Sequence, residues 1–309
     1  MINMVKKVLI SPSSFGECDS YPIDLLKKNG YEIVKNPYGR KLTSDEVIKL
    51  GKDCICIIAG VELLDINVLK HLSLLRCISR VGVGIDNIDL EYAKNHEIII
   101  YKTKNGPTRS VAELTIGLIF DVLRKISYRD REIRKGNWNK EIGYLLQGKN
   151  VGIIGLGNIG KTVAKMLESF DVNVSCNDMN PDITWAKLNK ISIRNLDDIL
   201  KESDIISIHV SSLHSKKLVI NENKINIMKK GSFLINTSRG DIIDENALYT
   251  ALKNNHLAGA AIDVFNQEPY TGCLIELDNI ILTSHIGSYA KETRLDMEIQ
   301  AVKNFLDTF

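Results

Sequence analysis

The stretch Val151–Gly160, VGIIGLGNIG, constrains this chain more than any other. A run of strand character leads straight into glycines at 155, 157 and 160, in G-x-G-x-x-G spacing. The helical pattern KTVAKMLESF follows, then a second strand pattern, VNVSC, and then Asp178, about 20 residues beyond the glycines. Strand, glycine turn, helix, strand and acid in this order read as a dinucleotide-binding βαβ unit. Gly155 permits the tight turn, Gly157 lets the backbone approach a pyrophosphate, and Gly160 lets helix and strand pack closely. Asn158 and Ile159 stand at the helix N-terminus, where unpaired N–H groups and a partial positive charge receive phosphates. Asp178 accepts hydrogen bonds from a ribose hydroxyl and repels a 2′-phosphate. Its neighbours Asn177, Met179 and Asn180 carry no cation to reverse that choice, so the expected cofactor is NAD.

Short β-branched runs alternate with helical segments along the rest of the chain. Near-continuous apolar strands separated by helices predict parallel sheets covered on both faces. At 309 residues the chain exceeds a typical single core. The expected fold class is α/β, with two Rossmann-like doubly wound parallel-sheet domains. SVAELTIGLIFDVLRKISYRDREIRKG reads as one long amphipathic helix from Ser110, with an apolar stripe through Val111, Leu114, Leu118, Val122 and Ile126. Thr43 with Glu46 reads as a capping box, and Gly30 as a helix stop. The 40 basic and 38 acidic side chains leave a formal charge of +2, which points to neither nucleic acid nor a membrane surface as partner. The chain start runs directly into a strand pattern with no signal-peptide region, and the six cysteines form no CxxC. A cytoplasmic protein without a metal site is expected.

Ligands of doubly wound sheets sit outside the carboxyl ends of the strands. FLINTSRGD places Arg239 at such an exit, AIDVFNQEP places Asp263 and Glu268 at the next, and NIILTSHIGS places His285 after another. His209 and Val210 close the strand IISIHV. With Thr237, Ser238, Asp263 and Gly287 they complete the expected cofactor-binding set.

The segments RVGVGIDNIDL, SVAELTIGLI, GKNVGIIGLGNIG, INTSRGDIIDENAL, AIDVFNQEP and SHIGSYAKETR, in this order, resemble the D-isomer-specific 2-hydroxyacid dehydrogenases. The resemblance spans nearly the whole chain and is closest to short D-3-phosphoglycerate dehydrogenase-like members. It implies two similar α/β domains with a cleft between them. A substrate domain of residues 1–106 plus 287–309 would carry an inserted NAD-binding domain of residues 107–286. Hinges are expected near Asn105–Pro107 and after His285. It also implies a homodimer, built around the long helix and the Trp138 loop.

Carried over residue by residue, the resemblance makes Arg239, Glu268 and His285 the catalytic set. Oxidation of a 2-hydroxy acid sends a hydride from C2 to NAD and a hydroxyl proton to a base. His285 is that base, and the acid in the reverse direction. Glu268 would fix the imidazole and favour its charged form, and Arg239 would pair its planar fork with the substrate carboxylate. The backbone N–H groups of Val81, Gly82 and Val83 are the expected carboxylate seat on the substrate domain, with Arg80 beside them for a second anion.

Three positions depart from the family pattern: Lys104, Pro107 and Ser211. Gly60-Val61-Glu62 stands where many phosphoglycerate dehydrogenases carry a basic residue. The substrate expectation therefore covers 3-phosphoglycerate and phosphohydroxypyruvate, with glyoxylate, hydroxypyruvate or another 2-keto acid as the alternative. The C-terminal regulatory domains of longer phosphoglycerate dehydrogenases are not expected, nor is serine feedback. A reading of another class is an NAD-sensing scaffold resembling the C-terminal-binding-protein co-repressors, which share these motifs.

Overall fold

The computed structural model describes residues 6–104, 106–210 and 220–309. Asn105, at the first expected hinge, and Ser211 lie outside them. The chain forms two compact units, one running through Pro107 and completed by Ser288–Phe309, the other spanning Thr108–Gly287.

In the first unit, strands β1 (Lys7–Ile10), β2 (Glu32–Lys35), β3 (Cys54–Ala59), β4 (Cys77–Arg80) and β5 (Ile99–Lys102) alternate with helices. These are α1 (Tyr21–Lys28), α2 (Ser44–Gly51), α3 (Ile66–Leu69) and α4 (Leu90–Asn95). The strands pair in parallel in the order β2-β1-β3-β4-β5. Strand side chains alternate between two apolar layers. Leu9, Ile57 and Ile78 pack with Val47 and Val68 on one face. Val8, Ile10 and Ile58 pack on the other with Leu26 and with Met297, Val302 and Phe305, from the last helix of the chain (Lys291–Leu306). Full burial of each such side chain contributes about 1.5–3 kcal/mol. The Thr43–Glu46 capping box opens α2, and Gly30, at φ +82°, follows α1.

The second unit begins with α5 (Thr108–Arg124) and α6 (Ile126–Arg134). It continues with β6 (Asn150–Ile154), α7 (Asn158–Leu167), β7 (Asn173–Asn177), α8 (Ile183–Leu188) and β8 (Ser192–Ile193). Next come α9 (Leu196–Glu202), β9 (Ile205–Ile208), α10 (Glu222–Asn226), β10 (Phe233–Asn236), α11 (Glu245–Lys253), β11 (Gly259–Ile262) and β12 (Ile280–Leu282). The Lys291–Leu306 helix is thus α12. Among the described residues the sheet has seven parallel strands in the order β12-β11-β10-β9-β6-β7-β8. Val151, Ile153 and Ile235 face α5 and α7, while Ile154, Ile208 and Leu234 face α9 and α11.

The expected single long helix is two helices. Lys125 adopts the left-handed conformation at φ 53° between α5 and α6. Asp121, on the last turns of α5, accepts the N–H of Ser127 at 2.8 Å and also its hydroxyl, capping the second helix from the first. The buried stripe ends at Leu123, and α6 buries none of its residues.

Candidate active site

The chain runs β6-β7-β8 outward on one side of the sheet, then β9-β10-β11-β12 on the other. Strand order therefore reverses between β6 and β9, the crevice where doubly wound sheets take their ligands. The glycine loop sits there. Gly155 leaves β6 at φ +97°, and a Cβ on it would stand 2.4 Å from the carbonyl oxygen of His209, just past β9. A Cβ on Gly160 would lie 2.0 Å from the oxygen of Gly155, so helix α7 rests directly on the turn. Gly157 caps α7 without a side chain, and a Cβ there would meet nothing within 4 Å. The N-terminal turn that carries Asn158 and Ile159 thus has an open approach for a pyrophosphate. Asp178 follows β7 and is docked onto the same loop: Oδ2 accepts the Leu156 N–H at 2.6 Å, and Oδ1 accepts the Asn180 N–H at 2.8 Å. These residues fit a dinucleotide whose ribose meets a carboxylate.

Val210 lies against Gly155, its Cγ1 3.0 Å from the position of a Cβ there. His209 is buried, with Nε2 2.8 Å from the Ser207 hydroxyl and Nδ1 without a hydrogen-bond partner among the described residues. Burial pushes its pKa down to about 3. The folded unit therefore leaves this imidazole neutral, while the unfolded chain takes up a proton below about pH 6.5. Stability is complete above that pH and falls as the pH drops from there towards the folded value, by at most about 1.4 kcal/mol per pH unit from this group. His209→Gln is expected to show a shallower decline of Tm between pH 7 and pH 4.5 than the wild type. Parallel declines in a thermal scan would exclude His209 as the acid-sensitive group.

At the end of β10 the loop Thr237–Gly240 is knitted by Asn236. Asn236 Oδ1 accepts both the N–H and the hydroxyl of Ser238, at 3.0 and 2.8 Å, and Nδ2 donates to the Arg239 carbonyl at 2.8 Å. Thr237 Oγ1 lies 3.0 Å from Thr115 Oγ1 on α5. Arg239 Nη1 donates to the Ser238 carbonyl at 2.7 Å. Arg239 thus stands three residues past the carboxyl end of β10, with its guanidinium tied to its own loop.

His285 follows β12 at φ 56°, and its Nδ1 stands 2.9 Å and 3.1 Å from the two oxygens of Glu268. With Nδ1–H donating to that carboxylate, Nε2 is left to exchange a proton. Both side chains are partly exposed. Asp263 brackets the histidine: Oδ1 accepts the Thr283 hydroxyl at 2.6 Å and the Ile286 N–H at 2.8 Å, and Oδ2 accepts the Gly287 N–H at 3.0 Å. Asp263 is buried, which raises its pKa above the ordinary carboxylate value, against the lowering effect of these donors. Asp263 and Gly287 thus hold each other, fixing the backbone on the far side of the imidazole.

In the first unit, the Val81 N–H is not available to a carboxylate. It extends the β3–β4 ladder to the Ala59 carbonyl at 2.9 Å, leaving Gly82 and Val83 as the candidate donors. Arg80 is buried and gives Nη1 to the Val81 carbonyl at 2.6 Å. Glu62 is also buried, accepting from the Ser11 hydroxyl and, at 2.9 Å, from the Gly60 N–H. Asn236, Thr283 and Glu62 were absent from the set read from sequence. Glu62 is marked in the sequence only by standing where a basic residue is expected, and the place of Asn236 at the mouth of an apolar strand is the other available signal.

Fold and site together define a dinucleotide-binding α/β protein with a histidine–carboxylate pair and an arginine at the rim of its sheet. Residues 116–287 match the family model for the D-isomer specific 2-hydroxyacid dehydrogenase, NAD binding domain. The chain is 38% identical over 263 residues to the glyoxylate reductase of Thermofilum pendens, covering 82% of this chain and 76% of that one. It is 34% identical over 282 residues to the D-3-phosphoglycerate dehydrogenase of Archaeoglobus fulgidus. That match covers 89% of this chain but 53% of the relative, so the chain spans about half the length of that enzyme. The crystal structure of D-lactate dehydrogenase from Aquifex aeolicus, complexed with NAD and lactic acid, is similar with a TM-score of 0.85 at 27% identity, covering 97% of this chain and 94% of that one. The chain belongs to the D-isomer specific 2-hydroxyacid dehydrogenase family, and its second unit carries the NAD-binding domain of that family.

Proposed function

We propose that this protein is an NAD-dependent dehydrogenase that interconverts a D-2-hydroxy acid and its 2-keto acid, with Arg239, Glu268 and His285 as its catalytic residues. The observation that carries the reading is the His285–Glu268 contact of 2.9 Å at the end of β12, on the sheet whose switch point holds the glycine loop. Bound NAD supplies the hydride acceptor at C4 of its nicotinamide. His285 Nε2 takes the hydroxyl proton as the C2–H bond breaks, and returns it to the carbonyl oxygen in reduction. Glu268 holds the ring in the tautomer that leaves Nε2 free. Arg239 pairs with the substrate carboxylate and polarises the reacting oxygen. Gly82 and Val83 offer N–H groups to the same class of anion.

A substrate with one anionic group, such as glyoxylate or hydroxypyruvate, is favoured over a phosphorylated one. Arg80 spends a guanidinium donor on its own backbone, and a buried carboxylate, Glu62, stands in the neighbouring loop. A second anion would share Arg80 with the Val81 backbone carbonyl and would meet the repulsion of the Glu62 carboxylate. NADH oxidation with a panel of glyoxylate, hydroxypyruvate, pyruvate and phosphohydroxypyruvate is expected to give the highest kcat/KM with an unphosphorylated member. A preference for phosphohydroxypyruvate would reverse the substrate assignment. Tight NADH binding without turnover of any keto acid would favour the scaffold reading.

The proposed assembly is a homodimer, in the cytoplasm, where six unpaired cysteines stay reduced. The support is an apolar run at the end of the α5–α6 region: Trp138 is 78% exposed, Ile142 97% and Leu145 71%. Exposed groups of this size in one short segment mark an interaction surface. Sedimentation at micromolar concentration is expected to give the dimer mass, and Ile142→Glu to shift it towards monomer; a wild type that is wholly monomeric would refute the assembly. No helix among the described residues is long and apolar enough to cross a membrane.

A further inference from the structure

Glu245, the first residue of α11, takes no part in the chemistry above. Its Oε1 accepts the N–H of Asn266 at 2.9 Å. One residue back, the N–H of Phe265 donates to Glu268 Oε1 at 3.1 Å, the same oxygen that stands 3.1 Å from His285 Nδ1. Glu245 therefore grips the peptide bond next to the N–H that orients Glu268. A second contact acts at the same point. A Cβ on Gly240 would lie 2.0 Å from the carbonyl carbon of Phe265 and 2.5 Å from the nitrogen of Asn266. The loop carrying Arg239 and the loop carrying Glu268 thus press backbone on backbone, with no room for a side chain. The Phe265 ring also stacks on Tyr270 with centroids 4.3 Å apart, a further tie on the same residue.

We infer that Glu245 is a positioning residue and that, with Gly240, it sets the register between the Arg239 loop and the Glu268 loop. Glu245 acts on His285 through Asn266, Phe265 and Glu268, without touching substrate or cofactor. The inference rests on the catalytic reading of Arg239, Glu268 and His285. Its physical basis is that misplacing a catalytic group by about 1 Å costs about 100-fold in rate.

The test compares Glu245→Ala with Glu245→Gln in the full chain, using NADH and the best keto acid of the panel. Alanine removes the acceptor for the Asn266 N–H; glutamine keeps a carbonyl oxygen there and removes only the charge. Both lose the same favourable charge at the start of α11, so the difference between them reports the hydrogen bond. Glu245→Ala is expected to lower kcat about 10-fold or more, with the KM for NADH within about 2-fold of wild type, and Glu245→Gln to stay within about 3-fold in both. Gly240→Ala is expected to lower kcat by ~100-fold. If that variant fails to fold, the Glu245 pair decides alone. Unchanged kcat in Glu245→Ala, or equal losses in both Glu245 variants, would overturn the inference. The two failures are separable. Wild type without turnover sinks the catalytic reading and this inference together. An active wild type, an inactive His285→Ala and an unaffected Glu245→Ala sink the positioning role alone.

Discussion

His285→Ala is expected to lower kcat/KM for the preferred 2-keto acid by about 100- to 10,000-fold while leaving NADH affinity within about 2-fold. Reduction needs a proton at the carbonyl oxygen as the hydride arrives at C2, and among the described residues no other histidine pairs with a carboxylate beyond a strand end of this sheet. His209 is the other imidazole at the sheet rim among the described residues, but its burial keeps it unprotonated, with a pKa of about 3. The geometry of His285 is held from both sides, by Glu268 on Nδ1 and by Asp263 on the Ile286 and Gly287 backbone. Removing the ring therefore deletes the proposed proton donor with little disturbance of the NAD-binding loop. Steady-state kinetics with a fluorescence titration of NADH checks both halves. A loss below about 10-fold would remove His285 from the acid–base role.

Arg239→Gln is expected to cost about 2–4 kcal/mol in transition-state stabilisation, or ~30- to 1,000-fold in kcat/KM, by raising the KM for the keto acid and lowering kcat. Glutamine keeps a hydrogen-bonding amide but loses the charge and the forked geometry that match a carboxylate. The loop itself should survive the change, because Asn236 holds Ser238 and the Arg239 backbone without using the guanidinium. NADH affinity is the control. If the KM for the keto acid does not move, the carboxylate is bound elsewhere.

The sequence made some of this geometry readable because certain backbone shapes admit few residues. The turn after β6 needs φ near +97°, and the α7 contact leaves no space for a Cβ; glycine is the residue that satisfies both. Apolar strands such as Ile205–Ile208, buried at every position, announced a sheet covered on both faces. The meeting of Glu268 with His285, 17 residues apart, could be read only from family resemblance, because nothing in that spacing fixes a contact. The α5–α6 break was hidden because apolar spacing continues through Ile126, while the interruption is made by Asp121 reaching Ser127. The occupied Val81 N–H was hidden for a different reason: a backbone hydrogen bond leaves no side-chain signature. Glu245 gives no sign of its contact either, since an acidic residue in the first turn of a helix is common.

α12 lies in the second-made part of the first unit, Ser288–Phe309. Its residues Met297, Val302 and Phe305 complete an apolar face of a sheet whose strands are made before residue 108. Between those strands and that helix the ribosome must synthesise the entire second unit. The inserted unit can fold while the unit around it still waits for its lid, leaving Val8, Ile10 and Ile58 without their final cover. During synthesis, the sheet formed first is the last to be sealed, and it is this nascent half that most needs shielding from other chains.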